Sequence, residues 1–183
     1  MLIETIPAST EDIQMILDLQ QKNLKGLISA EEKEQQGFVT LQHDLGTLQQ
    51  MHTLAPSVII KDNDKVVAYA LSELKECREL VPDLEPMFTL FDSLSWNGKP
   101  LNDYRYYVMG QICIDKAYRG QGLFERLYAH HKSLYQSKFD LFVTEISTSN
   151  YRSLRAHERV GFQVMHMHRD SLDEWVVVGW DWK

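Results

Sequence analysis

The order of hydrophobic patterns along the chain predicts an α/β fold. A mixed, mostly antiparallel sheet is flanked by helices, in one domain spanning residues 1–183. Three observations predict it. The first third holds one short β-like run followed by stretches of helical period. Two runs rich in β-branched residues then flank a polar turn, the pattern of an antiparallel hairpin. The centre runs strand, helix, strand between Tyr104 and Ile146. Such a unit sets its two strands parallel with a right-handed crossover.

Residues 2–6 read as the first strand, closed by Pro7. Ser9-Thr10-Glu11-Asp12 is a helix start, with a hydroxyl cap and acids in the first turn. Ile13, Ile16, Leu17, Leu19 and Leu24 set its apolar face, and Gly26 fits its end. Ser29, with Glu32 three residues on, opens a short charged helix that ends near Gly37. Leu41, Leu45, Leu48 and Met51 form the stripe of a third helix, which stops before Pro56. The hairpin pairs residues 57–60 with 66–71.

Residues 73–103 carry three prolines, a helix over 86–94 and a turn at Trp96-Asn97-Gly98. A connection of this length is either a functional lid or a surface insertion. Residues 104–114 form the long central strand, 120–136 a helix, and 139–146 the next strand. A short helix over 150–159 is closed by Gly161, and strands over 162–168 and 175–182 end the chain.

The net charge of -7, from 19 basic and 26 acidic residues, argues against nucleic acid or an anionic membrane as partner. No stretch is long enough to span a membrane, and the first residues lack a basic segment and a long apolar run, so a cytoplasmic protein is expected. Cys77 and Cys113 are too few for a disulfide scaffold, and Cys113 should be a buried free thiol. His130 and His131 are adjacent and lack ligand spacing, so no metal is expected.

The informative stretch is 109–124, an apolar strand that passes through a polar turn into two glycines opening a helix. A strand feeding a glycine-bearing helix start exposes backbone N–H groups that suit an anion. A dinucleotide-binding loop needs a third glycine, where Glu125 stands. A P-loop needs Gly-Lys-Ser/Thr, which is missing. The Arg-x-x-Gly-x-small pattern that cradles the pyrophosphate of coenzyme A fits Arg119 and Gly122, with Phe124 in the small-residue place. The bland alternative is that both glycines only permit a tight turn.

Together with Asn150-Tyr-Arg-Ser-Leu-Arg-Ala-His-Glu-Arg-Val-Gly-Phe162, this stretch resembles the GCN5-related N-acetyltransferase (GNAT) superfamily. Ile112 to Leu123 is similar to its acetyl-CoA loop, and Asn150, Ser153, Arg159, Gly161 and Phe162 fall in the family's following helix and turn. The resemblance implies a sheet whose central parallel strands splay apart to admit the pantetheine arm. It implies pyrophosphate binding by the N–H groups of Arg119, Gly120, Gln121, Gly122, Leu123 and Phe124. The backbone of Ile112, Cys113 and Ile114 would hold the pantetheine arm, with the N–H of Cys113 or Ile114 on the thioester carbonyl. Asn150 would donate to the donor's amide arm, cap its helix, or both, with Ser153 beside it.

His157 stands where the family often has a tyrosine that protonates the leaving thiolate. A neutral imidazole keeps one N–H for that task, and the alternative is a packed histidine that leaves the proton to water. Glu145 is the candidate base or binder of a cationic amine, and Glu73 is a second candidate. The resemblance thus implies an acetyl-CoA-dependent N-acetyltransferase acting on a small-molecule or peptide amine by direct transfer in a ternary complex. A homodimer is compatible with it. The acceptor would enter between residues 25–38, 73–103 and 169–174. The rival is a non-catalytic CoA-binding or sensor module of the same fold. A third reading is transfer to oxygen or of a longer acyl chain.

Overall fold

The hairpin expected from the β-branched runs forms the spine of the sheet. The structure, a computed structural model, describes residues 1–31, 33, 37–171 and 173–183. Its strands are β1 (Leu2–Thr5), β2 (Val58–Asp62), β3 (Lys65–Glu73), β4 (Ser95–Trp96), β5 (Lys99–Pro100), β6 (Tyr106–Ile114), β7 (Leu141–Ser147), β8 (Gln163–Arg169) and β9 (Glu174–Asp181). Among the described residues seven of them form one sheet in the order β1-β2-β3-β6-β7-β9-β8. Every neighbouring pair is antiparallel except β6 and β7. The helix α5 (Leu123–Tyr135) makes the crossover between those two, as the strand–helix–strand pattern requires. Further helices among the described residues include α1 (Thr10–Gln21), α2 (Leu45–Leu54), α3 (Cys77–Leu80), α4 (Glu85–Ser93) and α6 (Tyr151–Val160).

One boundary differs from the sequence expectation for a local reason. α2 starts a turn later than its apolar stripe, because the Asp44 carboxylate accepts the Thr47 N–H (2.9 Å) and caps the helix there. Leu41 therefore lies in the extended approach. Glu32, expected to complete the cap begun by Ser29, lies outside the described residues together with 34–36. The Lys33 N–H does bond the Ser29 carbonyl (3.0 Å), as a helical turn requires.

Side-chain alternation assigns the two faces of the sheet. Tyr106 and Val108 of β6 pack with Leu141 and Val143 against Phe88, Phe91 and Leu94 of the α4 region. Tyr107 and Met109 face the opposite layer, with Tyr128 and Tyr135 of α5. The alternation then slips. β3 pairs Ser72 with Met109 but Ala70 with Ile112, so β6 holds one extra residue there. After this bulge Cys113 joins the α1 and α2 side, while Ile112 and Ile114 face α5. A bulge bends its strand and raises the local twist. The parallel pairing with β7 ends beside it, after Tyr106–Leu141, Tyr107–Phe142 and Val108–Val143. Thr144 Oγ1 donates to the Met109 carbonyl (2.8 Å), and beyond that bridge no ladder joins the two strands.

The 73–103 excursion is neither a lid nor a loose insertion. Phe88, Phe91 and Leu101 are fully buried against the sheet. Arg78 ties α3 to α4 through Glu85 (2.5 Å) and Asp92 (2.8 Å). The expected turn at Trp96-Asn97-Gly98 is a two-residue hairpin with positive φ at Asn97 and Gly98. Among the described residues, no helix is long and apolar enough to cross a membrane.

Because α4 is core, Phe91→Ala is expected to cost about 3–5 kcal/mol of unfolding free energy in a urea titration. A loss under about 1 kcal/mol would return the excursion to a peripheral lid.

Candidate active site

The separation of β6 from β7 opens the sheet between α5 and α6. A groove of about 300 Å³ lies at its mouth, lined by Ile112, Cys113, Ile114, Arg119, Gly120, Gly122, Leu123, Phe124, Asn150 and Ser153 among others. Ten of the eleven residues expected on sequence grounds to hold the donor thus meet on one surface. Gln121 is the exception. It lies exposed in the same turn, its amide 3.4 Å from the Ala117 carbonyl.

The loop owes its shape to two left-handed residues, Gly120 (φ +75°) and Gly122 (φ +74°). A Cβ at either would meet nothing within 4 Å, so the backbone conformation rather than crowding calls for glycine. Gly122 is the N-cap of α5 and offers no side chain to its first turn. The N–H groups of Leu123, Phe124 and Glu125 have no intrahelical partner by helix geometry, and they carry the positive end of the helix dipole. Arg119 does not reach outward alone. Its Nε donates to the Ile114 carbonyl (3.1 Å) and its guanidinium to Asn23 Oδ1 (2.6 Å). Phe124 turns its ring inward, 5.1 Å from Tyr128 and 5.0 Å from His157 between ring centres, so the loop backbone stays open.

Backbone alternation sorts the N–H groups of β6. The Asp115 N–H donates to Val67 on β3 (2.8 Å). Successive peptide groups point to opposite edges, so the N–H groups of Ile112 and Ile114 face the split and that of Cys113 faces β3. Of the two expected donors to a thioester carbonyl, Ile114 has the required direction. The Cys113 thiol is buried on the other side and is pushed up to about 12 by burial.

Asn150 stands at the N-cap of α6, but its side chain makes no capping bond. Its Nδ2 donates to the Phe38 carbonyl (3.1 Å), and its buried Oδ1 has no partner among the described residues. Gly37 lies against that oxygen. A Cβ there would sit 2.7 Å from it.

A second, smaller cleft of about 70 Å³ continues from the groove on the far side of the split. Its walls include Met109, Gly110, Gln111, Thr144, Glu145, His157 and Trp175. Glu145 is held by a hydrogen bond from His168 Nε2, and burial raises its carboxyl against that pull. The Trp175 Nε1–H is buried without a partner among the described residues. Lys25 and Asp173 (3.1 Å) bridge the 25–38 segment to the end of β7, where Ser147 also donates to Asp173 (2.6 Å).

His157 is buried at the junction, and its proton inventory can be read from its partners. The Ser153 carbonyl can only accept, so the 2.8 Å bond to it places the proton on Nδ1. Nε2 then carries the lone pair and accepts from the Tyr128 hydroxyl (2.5 Å). Burial lowers the imidazole to about 4, with the Ser153 bond opposing. The single N–H that a thiolate would need is committed within α6.

Arg152, which the sequence motifs do not mark, is also a groove residue. It lines the wall with Ala156 and Arg159. The signal was present: positions 152, 156 and 159 share a helical face, with a small residue between two cations.

The comparisons with known proteins agree with this geometry. A family model described as "Acetyltransferase (GNAT) family" matches residues 14–162. A search of curated proteins finds no match. Among solved structures, the chain is similar to the ribosomal-protein-S18-alanine N-acetyltransferase from Escherichia coli, with TM-score 0.65 and 15% identity over 99% of this chain and 94% of that one. It is also similar to a chain of the NatC complex bound to Gag peptide and CoA (0.67, 11%, over 100% and 99%). YncA from Salmonella typhimurium, solved with its cofactor acetyl-CoA, is a third (0.63, 16%, over 100% and 94%).

The tautomer assigned to His157 has a direct readout. Its folded pKa lies below the ordinary 6.5, so it binds fewer protons folded than unfolded and its stabilising effect is lost as pH falls from 6.5 towards 4. NMR is expected to show His157 protonated at Nδ1 and titrating near 4. A midpoint near 6.5 would contradict the buried, committed ring.

Proposed function

The chain belongs to the GNAT acetyltransferase family, and from that premise we propose that it moves an acetyl group from acetyl-CoA to a primary amine. The transfer is direct, within a ternary complex. One observation carries the reading. Phe38, Val39, Ile112, Asn150 and Ser153 line both the groove and the smaller cleft. Donor and acceptor sides therefore meet at the end of β6, where an amine can be brought against a thioester.

The residues present fit the donor. Loop N–H groups at residues 119–124 would take its pyrophosphate, assisted by the cationic face of Arg152 and Arg159. The unpartnered Asn150 Oδ1 would accept an amide N–H of the pantetheine arm, a role reversed from the one the resemblance implies, since one N–H of its amide goes to Phe38 and the oxygen is the group left open. Bound there, acetyl-CoA supplies the activated carbonyl and a good leaving group. The Ile114 N–H, aimed into the split, would hold the carbonyl oxygen as negative charge develops on it. An acyl-cysteine route gains no support, because the Cys113 thiol lies on the opposite side of β6.

Glu145 in the smaller cleft would attract a cationic amine, with His168 fixing its carboxylate. His157 we assign to positioning. It holds Tyr128 and the ring of Phe124 under the groove, and the departing thiolate, with a pKa of about 8.5, leaves without needing its proton. That commitment of His157 is also what favours the second reading, a binding module without turnover.

Calorimetry with acetyl-CoA and thiol release with a panel of amines separate the two. Micromolar binding and release with cationic primary amines are expected. Glu145→Gln should raise the amine KM about tenfold and leave the KM for acetyl-CoA unchanged. Binding without release across the panel would favour the module, and lack of binding would contradict both readings.

A further inference from the structure

Under the bulge of β6 lies a buried polar cluster that the donor groove does not use. Gly110 lines the acceptor cleft, and its missing side chain would collide with the Glu73 carboxylate at the end of β3. Glu73 is 1% exposed, and neither of its oxygens has a hydrogen-bond partner among the described residues. Its position was readable as an oddity: Tyr69, Leu71 and Glu73 share one face of β3, an acid in line with two core residues.

His43 stands behind it, with Nε2 3.9 Å from the carboxylate. A chain of fixed donors decides where the His43 proton sits. Gln111 Nε2 donates to the Leu41 carbonyl (2.8 Å), so Gln111 Oε1 is left to accept. It accepts from the Tyr69 hydroxyl (2.5 Å) and from Gln20 Nε2 (2.7 Å). Gln20 Oε1 takes the His43 backbone N–H (2.8 Å), which fixes that amide too. Gln20 Nε2 therefore also donates to His43 Nδ1 (2.9 Å). The imidazole proton is left on Nε2, facing Glu73. Two backbone groups, the Leu41 carbonyl and the His43 N–H, anchor the chain, so the arrangement is preset before any ligand binds.

We infer that Glu73, backed by His43, is the group that takes the acceptor's proton, reached past Gly110 through one water at the strand split. The inference rests on the acetyl-transfer reading. An ammonium gives one proton to the Glu73 carboxylate, and the freed nitrogen lone pair forms the N–C bond to the thioester carbonyl. The C–S bond then breaks, its electron pair leaves on the CoA thiolate, and the second proton on nitrogen passes to that thiolate or to solvent. The carboxylic acid returns its proton to solvent between turnovers. The His43 Nε2–H stabilises the carboxylate while the site waits. Glu145 is less suited, because its carboxylate is already engaged by His168.

The surroundings favour a group that titrates in the useful range. The titratable groups facing Glu73 are His43, from the segment before α2, and the Cys77 thiol of α3, which its charge pushes up together with burial. On its own strand, Tyr69 is engaged by Gln111, and on β6 Val108 pairs with Glu73 and Gly110 lies against its carboxylate. Burial alone raises Glu73 to about 8, which matches a base working near neutral pH.

The test is the pH profile of kcat/KM for a primary alkylamine with saturating acetyl-CoA. The wild type is expected to show a rising limb centred near 8. Glu73→Gln should lower kcat about 100-fold and move that limb towards the amine's own pKa of about 10, with acetyl-CoA affinity by calorimetry unchanged. His43→Gln should shift the limb with a smaller loss. A Glu73→Gln enzyme within twofold of wild type, with its limb unmoved, would overturn the inference and leave acetyl transfer standing. Wild-type protein that transfers to no amine would fail the functional reading and this inference with it. If Glu73→Gln does not fold, carboxyl-¹³C NMR of the wild type with bound CoA decides. A saturating amine should move the Glu73 midpoint by about one unit, and an unmoved midpoint would overturn the assignment.

Discussion

The structure depends on one interrupted ladder. β6 and β7 pair in parallel through Val108 and Val143 and then part, with Thr144 Oγ1 on the Met109 carbonyl as the last bridge. Open backbone inside a sheet is costly unless its N–H and C=O groups find partners. The fold meets part of that cost with Arg119 on the Ile114 carbonyl. The bulge at Gly110–Gln111 sits beside the parting point and bends β6 away. It also changes which residues face which layer. Ile112 and Ile114 turn to α5 and the donor groove, while Gln111 turns to Gln20 and Tyr69. On the proposed reading, one extra residue in one strand thus separates a donor groove rich in backbone N–H groups from an acceptor cleft lined by ionisable side chains.

The two sides differ in how they handle polar groups. On the donor side, the helix start, the left-handed glycines and the Asn150 oxygen offer fixed dipoles without formal charge. Such dipoles need no reorganisation when an anion or a polarised carbonyl arrives. On the acceptor side the groups are ionisable and mostly buried: Glu145 with His168, and Glu73 with His43. Burial raises both acids. Between the sides, His157 is buried and neutral, its ring fixed by Ser153 and Tyr128. It stands in the wall of the smaller cleft and packs edge-on against Tyr128 and Phe162 of the aromatic layer.

Much of this was legible in the sequence because it is local. The strand, the polar turn and the two glycines of 109–124 are contiguous, and their backbone requirements are those of any anion-binding helix start. The parallel pair followed from the strand–helix–strand order alone. The start of α2 was misplaced because the apolar stripe at Leu41 outlasts the helix, and the Asp44 cap decides the boundary. The acceptor chemistry was less legible for a different reason. Gln20, His43, Glu73 and Gln111 come from four separate segments with no shared spacing, and only the bulge brings them together. The proton on His157 was likewise hidden, because it is set by a carbonyl one turn back and a hydroxyl on another helix.

The central claim is that the unpaired edge of β6 and the loop after it receive the donor. Hydrogen–deuterium exchange with and without CoA tests that most directly. Slowed exchange is expected at the amides of Ile112, Ile114 and residues 119–124, with no change at Tyr106, Tyr107 and Val108, where the ladder is intact. Protection confined to other elements, or none at 112–124 under saturating CoA, would contradict the account.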